Sequence, residues 1–316
     1  LGHSVVLKKL RDFQILGHNV VLIIGDFTAK IGDPTGKNKT RPQLTSDEVL
    51  NFSKTYIDQA SLILDISKLK ILNNSNWLSK INFSQIIDIS SKITVSQLIE
   101  RDDFKKRYNK GVPISMHEFL YPIAQGYDSV HVKSDLEIGG TDQKFNLLLA
   151  RDMQKSFKQK PQVILTTPLL VGTDGTDKMS KSYGNYIGLT EAPKEMYGKL
   201  MSIPDELIKT YFELAFFGSK DEIKSIKQKL LNKNIHPKDL KMDLAYSIVK
   251  NYYDSSIANK AQLDFNNVIC SKGIPDDIEE YFLKSSEKLL SIIKEVKFLK
   301  SNSEIRRMIK QGAVSI

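Results

Sequence analysis

The chain has 316 residues, 41% hydrophobic and 26% charged, with 46 Lys and Arg against 37 Asp and Glu and a formal charge of +9. This is the balance of an ordinary globular protein with room for two domains or three small ones, and its positive excess suits polyanionic partners. The single cysteine, Cys270, excludes an intrachain disulfide or a zinc site built on several thiolates, no apolar run reaches membrane-helix length, and a reducing cytoplasm with no membrane contact is expected.

Val6, Leu7, Leu10 and Phe13 recur at helical spacing, predicting a helix over 4–16 with His3 at its start. Unpaired backbone N–H groups there attract phosphate, and Gly2 allows a nucleotide close to the backbone. Gly17-His18-Asn19 ends the helix, and Val20–Ile24 reads as a buried parallel strand. Gly32-Asp33-Pro34-Thr35-Gly36-Lys37 is not a Walker-type loop, because its glycines are one residue too close and Asn38 follows Lys37. It reads as a tight turn presenting Asp33 beside the strand end, followed by Lys37 and Arg41.

Helical patterns cover 47–64 and 94–108, with a break at Asn73–Trp77, where Trp77 is expected as a packing anchor. Ser115 and Glu118 form a capping box, after which Tyr121, Gln125 and Asp128 share one helix face despite Pro122. A phenol, an amide and a carboxylate so aligned suit a small polar molecule, or a partly solvated face. Val130-His131-Val132 reads as a short strand. Gly139-Gly140-Thr141-Asp142-Gln143 then opens a helix, where Gly140 permits close contact with a sugar and Asp142 accepts from its hydroxyls.

A strand is predicted at 163–166, leading through Leu170 and Val171 into Lys178-Met179-Ser180-Lys181-Ser182. Two ammonium groups three residues apart on a Gly/Ser/Thr-rich loop suit the charge that develops on a triphosphate. From Thr190 onward the pattern is helical over 193–201, 205–217, 221–231 and 237–253, without strands. Helices over 279–298 and beyond Ser301 follow. The last carries Arg306, Arg307 and Lys310 near one face, suited to a phosphate backbone or simply to water.

Together these motifs resemble a bacterial tyrosyl-tRNA synthetase, a class I aminoacyl-tRNA synthetase, from end to end. Leu1-Gly2-His3 is similar to the last three residues of the family's HIGH motif and Lys178–Ser182 matches KMSKS, while the opening on Leu1 reads as a fragment lacking both termini. The resemblance implies an α/β Rossmann-like catalytic domain over 1–190 with an insertion at about 50–115, an all-α anticodon-side domain over 191–280, and the start of a ribosomal-protein-like RNA-binding domain over 281–316. It also implies a cytoplasmic homodimer that takes L-tyrosine, ATP with Mg2+, and tRNA(Tyr), with no prosthetic group and no metal site of its own.

By the same resemblance, Asp33, Tyr121 and Gln125 hold the substrate's α-ammonium, Asp128 its phenol and Gln143 its carboxylate end, with Asn74 in support. Gly140 and Asp142 bind ribose, and the backbone near Leu170 and Val171 meets adenine. His3, Lys37, Arg41, Lys178 and Lys181 stabilise the triphosphate, with Gly2, Met179, Ser180 and Ser182 alongside. Glu137 departs from a large branch of the family, which carries Gln there. A tryptophan-activating enzyme and an RNA-binding relative without chemistry remain alternatives at this point.

Overall fold

The computed structural model describes residues 1–31, 46–231, 235–267, 282, 288–296 and 301–310. The chain divides into two compact units, Leu1–Phe265 and Asn266–Ile316. Asp33, Lys37, Arg41 and Cys270 lie outside the described residues.

Helix α1 (Ser4–Ile15) buries Val5 and Leu7 and ends at Gly17, whose φ of 84° is the left-handed conformation glycine adopts without strain. It leads into β1 (Val20–Ile24). Next come α2 (Ser46–Ala60) and β2 (Leu69–Asn73), which pairs in parallel with β1. Asn73–Trp77 was expected only to break the helical run. Its first residue instead ends β2, and α3 (Ser75–Leu78) follows. The expected helix over 94–108 is two helices that follow α4 (Phe83–Ser90): α5 (Val95–Ile99) and α6 (Asp102–Asn109).

The long helix α7 (Met116–Val132) starts at the Ser115–Glu118 capping box and continues through Pro122. Val130–Val132, expected as a strand, is its last turn. Val130 is buried on the face that carries Ile123, and Lys133 closes the helix at φ 54°. The strand comes just after: β3 (Leu136–Gly140) pairs in parallel with β4 (Val163–Thr167), with α8 (Lys144–Ser156) between them in sequence. A helical crossover is what a parallel pair requires. The described strands thus form two parallel pairs, and α1 packs against both β1 and β3.

The first unit ends with α9 (Pro193–Met201), α10 (Ile208–Leu214), α11 (Lys220–Leu231), α12 (Pro237–Tyr252) and α13 (Ser255–Phe265). The expected 205–217 helix is shorter because Asp205–Leu207 forms a tighter turn before α10. Tyr197, Leu200, Tyr211, Leu244 and Ile248 lie in one buried cluster with Leu1, Val5, Leu170, Ile187 and Leu189, so these helices share a core with α1 and the base of the lysine loop. In the second unit α14 (Leu289–Glu295) packs on α15 (Asn302–Lys310), Ile305 is fully buried, and Arg306 and Arg307 are exposed. The placement of the Lys310 side chain lies outside the described residues. No described helix is long and apolar enough to cross a membrane.

Candidate active site

Three elements converge on Asp128. It sits on the buried side of α7, 7% exposed, where its carboxylate accepts from Trp77 Nε1 at 2.8 Å and from Asn74 Nδ2 at 3.1 Å. Asn74 is held in turn, its Oδ1 accepting from the Phe27 backbone at 3.0 Å and its Nδ2 donating to Thr28 Oγ1 at 3.2 Å. Asp26 ties the end of β1 to α3 by accepting from the Ser75 backbone and hydroxyl at 2.9 and 2.6 Å. Trp77 is buried as expected, stacks on His131 with centroids 4.4 Å apart, and also aims a donor at Asp128.

Burial pushes the Asp128 carboxyl up to about 7, the two donors oppose that rise, and the charges of Glu137 and Asp26 add to it. An acid so poised is ready to accept one more hydrogen bond, and the gain is greatest when the donor arrives without water.

One turn earlier on α7, Gln125 is joined to Gln143 through Asn146 of α8. Gln143 closes the short turn Thr141–Gln143, which also carries Asp142. A Cβ on Gly140 would stand 2.7 Å from both Asp142 Oδ1 and Leu169 Cδ2, so a larger residue there would push the Asp142 carboxylate or the Leu169 side chain aside. Asp142 Oδ2 accepts from Lys178 Nζ at 2.7 Å, which brings the lysine loop to the end of β3. His3 lies within electrostatic range of both groups. Desolvation lowers its pKa, Lys178 acts in the same direction, and Asp142 acts against them. A Cβ on Gly2 would meet that of Met179 at 3.4 Å, so the start of α1 rests on the same loop.

The loop's root is built into the core. Val171 bridges Lys178, the Met179 amide donates to the Leu170 carbonyl at 2.8 Å, and Tyr211 Oη donates to the Val171 carbonyl at 2.7 Å. Asn185, 3% exposed, accepts from the Ser180 amide at 2.8 Å and donates to Asp174 Oδ2 at 2.7 Å. Lys181 and Ser182 lie on the exposed turn that follows, where Ser180 Oγ accepts from the Ser182 amide. Asn74 is thus drawn to Asp128, Gln125 to Gln143 through Asn146, and Asp142, Gly2, Met179 and His3 to one another around Lys178. Tyr121 is half-buried on the Gln125 face of α7, Lys181 remains at the surface, and Arg306, Arg307 and Lys310 belong to the second unit.

Asn146, Asn185 and Asp26 carry no sequence signal of their own, since lone Asn and Asp side chains are common. Only the fold reveals what they hold.

The family model of class I tRNA synthetases (W and Y) matches residues 1–269. A tyrosine–tRNA ligase of Thermotoga maritima is 50% identical over 100% of this chain and 79% of its own length. The chain belongs to the tyrosine–tRNA ligase family of class I tRNA synthetases. A family member from Chlorobaculum tepidum is 51% identical over 99% of this chain and 77% of its own length. The fold agrees: a C-terminally truncated Aspergillus nidulans mitochondrial tyrosyl-tRNA synthetase superimposes with a TM-score of 0.70 at 21% identity, covering 85% of this chain and 82% of that one.

Proposed function

We infer that this chain activates L-tyrosine with ATP and passes the tyrosyl group to the 3′-terminal ribose of tRNA(Tyr). The observation that carries the reading is the buried Asp128 carboxyl on α7, with the Gln125–Asn146–Gln143 bridge one turn away and the Lys178–Asp142 pair next to Gln143 in sequence. One end offers a nearly dry acceptor for a phenol, and the other gathers charge where a nucleotide's ribose and phosphates fit.

In this reading Asp128 accepts from the phenol, Asn74 supports it, and Tyr121, Gln125 and Asp33 receive the α-ammonium. Gln143 donates to the carboxylate, whose oxygen attacks the α-phosphorus of ATP and expels pyrophosphate. Asp142 and the bare backbone of Gly140 take the ribose. Leu170 and Val171 flank adenine, and since both carbonyls already accept within the chain, their amides and remaining lone pairs are what is left for the base.

His3, Lys37, Arg41, Lys178 and Lys181 stabilise the charge that grows on the phosphates, with Gly2, Met179, Ser180 and Ser182 closing the site. The magnesium ion enters with ATP. No side chain becomes covalently attached, so positioning and charge stabilisation provide the acceleration. The test is pyrophosphate–ATP exchange: exchange is expected with L-tyrosine and not with L-tryptophan, and equal exchange with both would refute the reading.

The proposed arrangement assigns residues 1–190 to catalysis, 191–280 to the anticodon side of tRNA, and 281–316 to an RNA-binding module that includes Arg306, Arg307 and Lys310, all in a cytoplasmic homodimer. Support for the dimer comes from the insertion, where Phe83, Ile87, Val95, Tyr108 and Met116 are all more than half exposed. Apolar side chains so concentrated in one stretch favour a self-complementary contact. In a two-fold contact each substitution acts twice, so Phe83→Asp is expected to weaken dimerisation roughly 10³-fold, from about 2 kcal/mol per buried ring. Sedimentation velocity at micromolar concentration checks this, and an unchanged dimer would place the interface elsewhere.

A further inference from the structure

Asn146 has an arrangement that serves stability poorly. It is 2% exposed, its Nδ2 donates to Gln125 Oε1 at 2.9 Å and to Gln143 Oε1 at 3.0 Å, and its own Oδ1 is buried with no partner among the described residues. Both amide protons are therefore spent on glutamine oxygens. Turning the amide over would set Oδ1 against those two oxygens, so its polarity is dictated by its neighbours. A buried acceptor left unpaired is costly, and such costs persist mainly where a site requires them.

Gln125 is held from its other end as well. Glu137 on β3 accepts from Ser129 Oγ at 2.7 Å and from Gln162 Nε2 at 2.5 Å; burial raises its pKa, and hydrogen bonds from Ser129, Gln162 and Gln125 oppose that rise. Gln162 is itself oriented, with its Oε1 accepting from Ser134 Oγ and its backbone N–H donating to Gln154 Oε1 at 2.7 Å. The Gln125 oxygen already faces Asn146, so it is the Gln125 NH2 that turns toward Glu137 and donates to it. Ser134, Gln162, Glu137, Gln125, Asn146 and Gln143 thus form one relay in which each amide's polarity is set by the next.

We propose that Asn146 and Glu137 are positioning residues for the amino-acid substrate. Asn146 draws both glutamine oxygens onto one nitrogen, which leaves the Gln143 NH2 to meet the substrate carboxylate. Glu137 holds the Gln125 NH2, so that the free lone pair of the Gln125 oxygen is what the α-ammonium meets. Glu137 thereby gains a task that suits a carboxylate, which accepts from Ser129, Gln162 and Gln125 together, whereas a glutamine there has a single acceptor oxygen to share among them. The proposal rests on the tyrosine-site reading above and adds to it the groups that set its polarity.

The test is pyrophosphate exchange on the full chain with Asn146→Asp, Asn146→Ala, Glu137→Gln and Glu137→Ala, recording KM for tyrosine and ATP together with Tm. Asn146→Asp keeps the shape but replaces a donor by an acceptor, which reverses both glutamines. The KM for tyrosine is expected to rise at least about tenfold while that for ATP stays within about twofold. Inhibition by 4-hydroxyphenylpropionate, which has the carboxylate alone, should weaken more than inhibition by tyramine, which has the ammonium alone. Asn146→Ala should give a smaller rise in the same direction, and Glu137→Gln, which keeps one acceptor oxygen, should raise the KM for tyrosine less than Glu137→Ala, which keeps none. An Asn146→Asp variant with unchanged KM for tyrosine, or with both substrates equally weakened, overturns the proposal. Wild-type protein without tyrosine-dependent exchange overturns the reading beneath it instead.

Discussion

Asp128→Asn is expected to lower kcat/KM for tyrosine by roughly 10- to 100-fold while leaving any activity toward phenylalanine nearly unchanged. That is the range for a hydrogen bond lost from a charged, buried acceptor. The amide cannot substitute, because Trp77 and Asn74 both donate to this side chain and an Asn must turn its NH2 toward one of them. Competition between tyrosine and phenylalanine in the exchange assay gives the ratio directly. A variant that still prefers tyrosine as strongly as wild type would remove Asp128 from the phenol's side of the pocket.

The same residue sets a pH dependence. With the acid at about 7 in the free protein, kcat/KM for tyrosine should rise between pH 6 and 8 as the carboxylate forms, and the Asn variant should lack that rise. Stability runs the other way. The unfolded chain releases this proton near its ordinary value of 3.8, whereas the folded chain keeps it to about 7. Between those values the folded state binds more protons, so its stability falls as pH rises, by up to on the order of 4 kcal/mol from this group. Bound tyrosine supplies the missing donor. Its effect on Tm should therefore be larger at pH 8 than at pH 6.

Lys178→Ala is expected to slow adenylate formation by roughly 10²- to 10³-fold, the usual cost of removing one group that meets charge only in the transition state. Tyrosine KM should hold within about twofold. In the resting protein Lys178 is paired with Asp142, but the two side chains are 41% and 28% exposed, so the pair is worth at most about 1 kcal/mol and yields readily to a ribose. ATP KM should accordingly change by less than about fivefold. Single-turnover measurements separate the two effects, and a fall in rate matched by an equal loss of ATP affinity would mean that the lysine serves ground-state binding.

Motifs whose chemistry is local were legible before any coordinates. Lys178, Asp142, Gly140 and Asp128 stand out because glycine pairs, clustered lysines and a helix face mark themselves in sequence. Val130–Val132 misled because three alternating residues also fit the last turn of a helix, and the capping box at Ser115 had already committed the chain to one. Strand β2 escaped notice because Leu69–Asn73 has no alternation and owes its existence to pairing with β1, some fifty residues earlier. Asn146 and Asn185 were invisible for the same reason. Their importance lies in what folding brings to them.

The large buried cluster has a consequence for anyone cutting the gene. A scissor point near residue 190, beyond which the described elements are all helical, would strip Tyr197, Leu200, Tyr211 and Ile248 away from Leu1, Val5, Leu170 and Ile187. The severed front piece would show water the very side chains that seat the lysine loop. The residues proposed to meet the triphosphate would still be present in its sequence, yet the platform beneath the lysine loop would be gone.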